Sequence, residues 1–396
     1  MNFRYAVTLL LPLFFLQSCN NKGKESASEE NAGNDTLVKM APYDEDLPAL
    51  TSTFITNHKY EIGKFAHKLW SKNDNISFIV AKNGQIIYEQ YQGFADQKKE
   101  REIDRNTPLH IASVSKIMTA AVILKLVDAG KIELDQKVNT ILTTFPYPDV
   151  TVKTLLNHRS GLRKYEYFTS DKKVWNMRDK LTNEDILRLM GEKEIKLEYK
   201  TDTRFTYCNT NYAMLALIIE RVTGLKYGEA MRRMVFDPLG MKHTYVFDYD
   251  RDRDSTSISF YANGYVVPYD FLDNVYGDKN IYSTPTDLMK FDLATYSGKF
   301  LKPSLVKQVY KGYSYEKEGT RNYGLGIRIK EWVTGQKFYF HNGWWHGNTS
   351  GYSTLRKEKV TIIALSNKKT FKTFQTRKIA PMFGDYPFEP DDKAEN

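Results

Sequence analysis

Three short groups of residues carry the side chains that acyl transfer needs. Ser113-Val114-Ser115-Lys116 opens an apolar stretch and sets a hydroxyl and an amine three positions apart. At helical spacing, i and i+3 share a face, so Lys116 lies one turn above Ser113. A serine hydroxyl is a poor nucleophile until an adjacent base takes its proton, and a lysine desolvated by apolar neighbours yields its own proton more readily. A helix N-terminus also favours a developing oxyanion. Tyr207-Cys208-Asn209 supplies a phenol that nearby cations would hold partly as phenolate, hence a proton acceptor, and an amide able to orient a substrate amide. His341-Asn342-Gly343 follows the apolar Phe338-Tyr339-Phe340. A glycine at a strand edge lets a substrate backbone come close, and the amide of Trp344 is placed to join that of Ser113 as an oxyanion hole. Taken singly, each group is bland: Ser-x-x-Lys recurs by chance, and Tyr207 with Asn209 reads as a loop tyrosine beside a helix-capping asparagine.

The elements that must position these groups can be read around them. Ile111 to Val127 is apolar on almost every face, the mark of a buried helix, with Gly130 placed to end it. A second helix runs from about Asn211 to Val222 and stops near Gly224. Ser77–Lys82 and Gln85–Glu89 flank Asn83-Gly84, which predicts a hairpin with a type I′ turn. Gly351–Leu355 and Val360–Leu365 predict a second hairpin near the C-terminus. Strands at both ends with helices between them predict a mixed α/β (α+β) domain, an antiparallel sheet flanked by helices plus an all-helical lobe.

In combination the three groups are specific. Ser-x-x-Lys, Tyr-x-Asn and His-x-Gly occur in that order, 94 and 134 residues apart, and so resemble the penicillin-recognising serine hydrolases, the β-lactamases and penicillin-binding DD-peptidases. Thr151–Leu162, Thr206–Tyr212, Asp237–Met241, Tyr282–Leu288 and Tyr323–Gly326 are similar to connecting segments of the class C-type branch. The resemblance covers about residues 55–370. It implies an acyl-enzyme on Ser113, proton transfer shared by Lys116 and Tyr207, and binding of the acyl amide by Asn209. His341 and Gly343 would form the third motif, and the amides of Ser113 and Trp344 the oxyanion hole. Lys is usual at the start of that motif in β-lactamases of this type, where it holds the substrate carboxylate. His341 stands there instead, as the resemblance implies for DD-peptidases, D-aminopeptidases and esterases. No E-x-x-L-N signature is present. The readings are therefore a DD-peptidase, D-aminopeptidase or esterase first, then a true β-lactamase, then a catalytically silent sensor of cell-wall peptide. The implied partner is a small-molecule or peptide acyl substrate, such as a peptidoglycan stem peptide, and no cofactor is implied.

The remaining features bound the setting. None of the seven histidines forms H-E-x-x-H or H-x-H, so no metal site is expected. His110 and His158 read as structural hydrogen-bonders, His346 has no assignment, and Trp344 and Trp345 read as sheet packing or substrate stacking. Cys208 reads as a small buried apolar residue, and Asp248–Asp254 as a solvated loop. The formal net charge of +9 comes without a run of five or six basic residues, which argues against nucleic-acid binding. Two cysteines exclude a disulfide scaffold and a four-cysteine zinc module. At the N-terminus, Arg4 precedes an apolar run from Ala6 to Leu16, shorter than the roughly 20 residues that span a bilayer. Leu16-Gln17-Ser18-Cys19 resembles a lipobox, with Cys19 the lipidated residue. The expected organisation is a signal peptide at 1–18, a polar tether at 19–48 and one hydrolase domain at 49–390. That is a monomeric, lipid-anchored protein of the cell envelope, periplasmic or cell-surface facing.

Overall fold

The computed structural model describes residues 47–388. The signal segment, Cys19 and nearly all of the 19–48 tether lie outside the described residues, as does the end of the expected domain at 389–390. Among the described residues no helix is long and apolar enough to cross a membrane.

Seven strands form one antiparallel sheet: β1 (Ile76–Lys82), β2 (Gln85–Gln92), β3 (Arg321–Tyr323), β4 (Arg328–Glu331), β5 (Lys337–Trp345), β6 (Asn348–Leu355) and β7 (Val360–Ser366). Their spatial order is β2-β1-β7-β6-β5-β4-β3, so the N- and C-terminal strands meet in its interior. The β1–β2 turn has Asn83 at φ 51° and Gly84 at φ 74°, the two positive values that Asn-Gly tolerates. β1 and β7 are apolar almost throughout because both of their faces are covered. Helix α1 (Ser52–Leu69), capped by Thr51, and the 3-10 segment Lys372–Met382 pack on one face, where Ile62 and Ala66 meet Phe78, Val80, Ile362 and Ala364. Helix α5 (Pro285–Ala294) lies on the other face, where its Asp292 accepts hydrogen bonds from Tyr352 and Thr361.

The helical lobe is built on α2 (Ser115–Asp128), α3 (Asn183–Glu192) and α4 (Asn209–Thr223), with α4 packed against both others. Only Lys125, Val127 and Asp128 of α2 escape full burial, as its all-round apolar sequence requires. Gly130 (φ 66°) and Gly224 (φ 69°) end α2 and α4 in the left-handed conformation.

Two expected boundaries move. The buried helix begins at Ser115, not Ile111: Leu109–His110 is a short strand paired with Ile281–Ser283, and Ala112–Val114 is a 3-10 turn. Tertiary pairing of the chain before the helix overrides its apolar period. The second helix begins at Asn209, so Asn209 is its first helical residue and not a cap outside it; Cys208 occupies the N-cap. The solvated stretch at Asp248–Asp254 includes a short helix, Tyr249–Asp252, with no buried residue.

Candidate active site

Ser113 sits in the turn between the short strand and α2, where sheet and helical lobe meet. The residue before it, Ala112, has φ 48°, a conformation that costs a non-glycine residue about 1–3 kcal/mol and persists only where the surroundings enforce it. They do so here: His110 Nδ1 accepts the Ala112 amide at 3.0 Å, and the Ile111 carbonyl accepts the Ser350 hydroxyl at 2.5 Å. The His110 imidazole is fully buried and held neutral, its pKa pushed down to about 4 by desolvation.

Lys116 is completely buried, and its Nζ lies 3.0 Å from Ser113 Oγ and 2.7 Å from the Asp278 carbonyl. No carboxylate pairs with it among the described residues. Its Nζ is 5.1 Å from the centre of the Tyr207 ring, and the Arg328 guanidinium is 4.8 Å from the same ring. Tyr207 therefore stands between two cations, the environment that its proposed chemistry requires. Below it, His158 (φ 58°) lies with its ring centre 4.4 Å from that of Tyr207. His158 Nδ1 accepts the Cys208 amide at 3.2 Å and the Asn211 side chain at 3.0 Å, which fixes the Tyr207–Asn209 segment from beneath. Cys208 itself is buried, and burial pushes its thiol up to about 12, the behaviour of a packed apolar residue.

The third motif lies on β5, which pairs with β4 only from Lys337 to Phe340. From His341 onward that edge is unpaired by β4, while β6 continues on the other side. Gly343 has no room for a side chain: a Cβ there would fall 2.5 Å from the Ile111 carbonyl and 2.9 Å from the Ser113 amide nitrogen. The glycine thus lets β5 close on the nucleophile turn. His341 is buried, with Nδ1 donating to the Asn342 carbonyl at 2.8 Å, so Nε2 accepts the Tyr323 hydroxyl at 3.0 Å. Desolvation, then Arg328 and Lys116, hold His341 well below the ordinary histidine pKa, so it is neutral. Trp344 is 48% exposed and packs edge-on against Phe371, whereas Trp345 donates from Nε1 to Asp273 at 2.9 Å. His346 lies beyond the strand in the β5–β6 turn (φ 53°) and bonds the same Asp273 at 3.0 Å. Asp270, Asp273 and His346 are grouped closely enough to hold a cation, but Asp273 Oδ1 is already taken by His346 and Trp345.

The structure thus gathers Ser113, Lys116, Tyr207, Asn209, His341 and Gly343 at one junction. It adds residues that the sequence reading missed. Glu166 accepts a hydrogen bond from Asn209 Nδ2, and its second oxygen, like Asn209 Oδ1, is buried without a partner. Burial and the neighbouring Asp278 raise the Glu166 pKa. Arg328, Tyr323 and the Asp278 carbonyl are the others. All are brought in by contacts far along the chain; Tyr323 opens a segment that the resemblance already marked, whereas nothing in the local sequence marks Glu166, Asp278 or Arg328.

A serine that follows a strained residue, with a buried lysine at hydrogen-bond distance, a phenol beside that lysine and an arginine, and a glycine-edged strand define a serine hydrolase of the acyl-enzyme type. The β-lactamase family model matches residues 68–381, and the chain belongs to that family. Among curated proteins it is similar to penicillin-binding protein 4* of Bacillus subtilis, 29% identical over 346 residues, with 81% of this chain and 75% of that protein aligned. It is 27% identical over 265 residues to a teichoic acid D-alanine hydrolase of Staphylococcus aureus, covering 65% of this chain and 62% of that protein. Among solved structures, a penicillin-binding protein from Bacillus halodurans superposes with a TM-score of 0.69 at 23% identity, covering 81% of this chain and 99% of that one. D-amino acid amidase from Ochrobactrum anthropi SV3 gives 0.64 at 21%, covering 83% and 96%. These two likenesses are of fold.

Proposed function

We propose that this enzyme cleaves D-aminoacyl esters or amides whose α-amino group is free, through an acyl-enzyme on Ser113. The observation that carries the substrate class is the pair of buried, unpartnered acceptors Glu166 Oε2 and Asn209 Oδ1 beside the catalytic groups. Two orphaned acceptors, one on a carboxylate, are matched by a group with several donors and a positive charge, which is an α-ammonium. The names of the teichoic acid D-alanine hydrolase and D-amino acid amidase relatives agree with such a substrate. A β-lactam, with its amine acylated and a free carboxylate, fits worse, because His341 is neutral where a lysine would hold that carboxylate.

In the mechanism, the Lys116–Tyr207 pair takes the Ser113 proton as Oγ attacks the carbonyl carbon. The amides of Ser113 and Trp344 hold the oxyanion, and Tyr207 protonates the departing oxygen or nitrogen. Water, assisted by Tyr207, then releases the amino acid. A stem peptide that ends in D-alanine presents an acylated amine to Glu166 and Asn209 and is expected to be the poorer substrate. The site is complete within one chain, and we propose a monomer of the class C-type branch, supported by the segments at Thr206–Tyr212 and Tyr282–Leu288. We further propose a lipid anchor at Cys19 that holds the enzyme in the cell envelope, supported by the Leu16–Cys19 sequence. Loss of detergent-phase partitioning in Cys19→Ala is its test; unchanged partitioning rejects the anchor.

The activity is tested with an activated phosphonate, a penicillin and paired D-alanyl esters, free and N-acetylated. Mass spectrometry should find the phosphonyl adduct on Ser113 and none in Ser113→Ala. The free-amine ester should be the better substrate. A folded wild type with neither adduct nor turnover would instead be a binding or sensor protein.

A further inference from the structure

Lys279 is a buried amine that the acyl-transfer steps do not use. It is 3% exposed, and its Nζ donates to the Tyr165 hydroxyl at 2.6 Å and lies 3.5 Å from Asp278 Oδ2. The same hydroxyl donates to Asp278 Oδ2 at 2.9 Å, which closes a triangle of lysine, phenol and carboxylate. On its other side Nζ lies 4.6 Å from the centre of the Trp345 ring. Three pieces of chain therefore meet at Lys279: the short helix Tyr165–Phe168 that carries Glu166, the loop Gly277–Asn280, and β5 beside Trp344. That loop touches both halves of the nucleophile. The Asp278 carbonyl accepts Lys116 Nζ at 2.7 Å. Two residues on, Asn280 Oδ1 accepts His110 Nε2 at 3.1 Å, and His110 Nδ1 accepts the Ala112 amide beside Ser113.

The loop is not in a relaxed conformation. Gly277 has φ 93° and Asn280 φ 68°, and a Cβ on Gly277 would fall 2.4 Å from the Tyr212 carbonyl of α4. Nor does the triangle earn its place through stability. A buried ion pair recovers little beyond its desolvation cost, and Asp278 Oδ1 is buried without a hydrogen-bond partner, which adds to that cost. What the triangle supplies is direction: two bonds to the carboxylate and a ring face hold the Asp278 peptide in one orientation. We propose, on the Ser113 acyl-enzyme reading, that Lys279 is a positioning residue. It locks the Asp278 carbonyl onto Lys116, so that Lys116 Nζ faces Ser113 Oγ as the serine proton leaves. Lys279 itself takes no proton and forms no bond in the reaction; its effect passes through Tyr165 and Asp278 to Lys116.

The test compares the wild type with two variants of the full chain. Tyr165→Phe keeps the ring and removes the bridging hydroxyl, and Asp278→Asn/Lys279→Met removes both charges at nearly constant volume. Inactivation by an activated phosphonate reads the attack of Ser113 Oγ alone, and its concentration dependence separates reagent binding from the limiting rate. In each variant that a thermal melt shows to be folded, the limiting rate should fall about tenfold or more, as expected for a base displaced by a fraction of an ångström. The half-saturating phosphonate concentration should stay within about twofold of the wild type, which a general loosening of the site would not leave unmoved. An unchanged limiting rate in either folded variant, or a loss carried by the half-saturating concentration alone, overturns the role. Failure of both variants to fold also overturns it, since the triangle would then serve the fold and not the reaction. No phosphonate adduct on Ser113 in the wild type overturns the acyl-enzyme reading instead.

Discussion

At the scale of the residue, the site is a set of charges placed so that each group finds the partner its chemistry needs. Lys116 faces the Ser113 hydroxyl and a backbone carbonyl, with no carboxylate paired to it among the described residues. Glu166 sits across the site on Asn209. Exchanging Glu166 for glutamine keeps the shape and removes the charge. We expect kcat/KM on free-amine D-alanyl substrates to fall about 10- to 100-fold, the cost of leaving a desolvated ammonium unpaired, while N-acetylated analogues change little. Because burial and Asp278 raise the Glu166 pKa, the carboxylate exists only above a pH displaced upward from the ordinary carboxylate range. Turnover of the free-amine substrate should therefore rise with pH along that limb in the wild type, and the limb should vanish in Glu166→Gln. Equal losses on both substrates would show that Glu166 serves only to place Asn209.

At the scale of the element, catalysis depends on how closely β5 approaches the turn that carries Ser113. The strand leaves β4 after Phe340 and closes on Ile111 and Ser113 through the bare backbone of Gly343. A methyl group at that position would push strand and turn apart by the better part of an ångström. Gly343→Ala should thus cost about 100-fold in kcat, the usual penalty for a misplacement of that size. Overpacking should also remove about 1–3 kcal/mol of stability. Steady-state kinetics with a thermal melt separates the two, and full activity in a folded variant would remove Gly343 from the site. The nucleophile turn has its own support in the His110 bond to the Ala112 amide, which keeps the positive φ of Ala112 in place.

At the scale of the whole molecule, the junction between lobe and sheet is held by histidines that are buried and uncharged. His110, His158 and His341 all have pKa values below the ordinary histidine value, chiefly through desolvation. The unfolded chain binds protons on these rings below about pH 6.5 and the folded chain does not, so their contribution to stability is complete above that pH and is lost as pH falls. For His110 the window runs from about 6.5 down to about 4, equivalent to about 3 kcal/mol. The melting temperature should fall between pH 7 and pH 5, more steeply in the wild type than in His110→Gln. A flat profile would show that these rings are hydrated.

Much of this architecture is legible in the sequence because it is local. The apolar run around Ile117–Leu126 reports a buried helix, Asn83-Gly84 reports its turn, and Ser113 with Lys116 lie within one helical turn whatever the rest of the chain does. The order of the three motifs points to the family that residues 68–381 match. Contacts at long range decide the rest. The pairing of Leu109–His110 with Ile281–Ser283 delays α2 to Ser115 and strains Ala112. Glu166 reaches Asn209 across 43 residues, and Arg328 reaches Tyr207 across 121. The sequence by itself pointed to the groups proposed for the chemistry, since the order and spacing of three short motifs suffice for that. Only the tertiary structure decided which charges surround them, because a field at a site is set by proximity in space, which chain order does not encode.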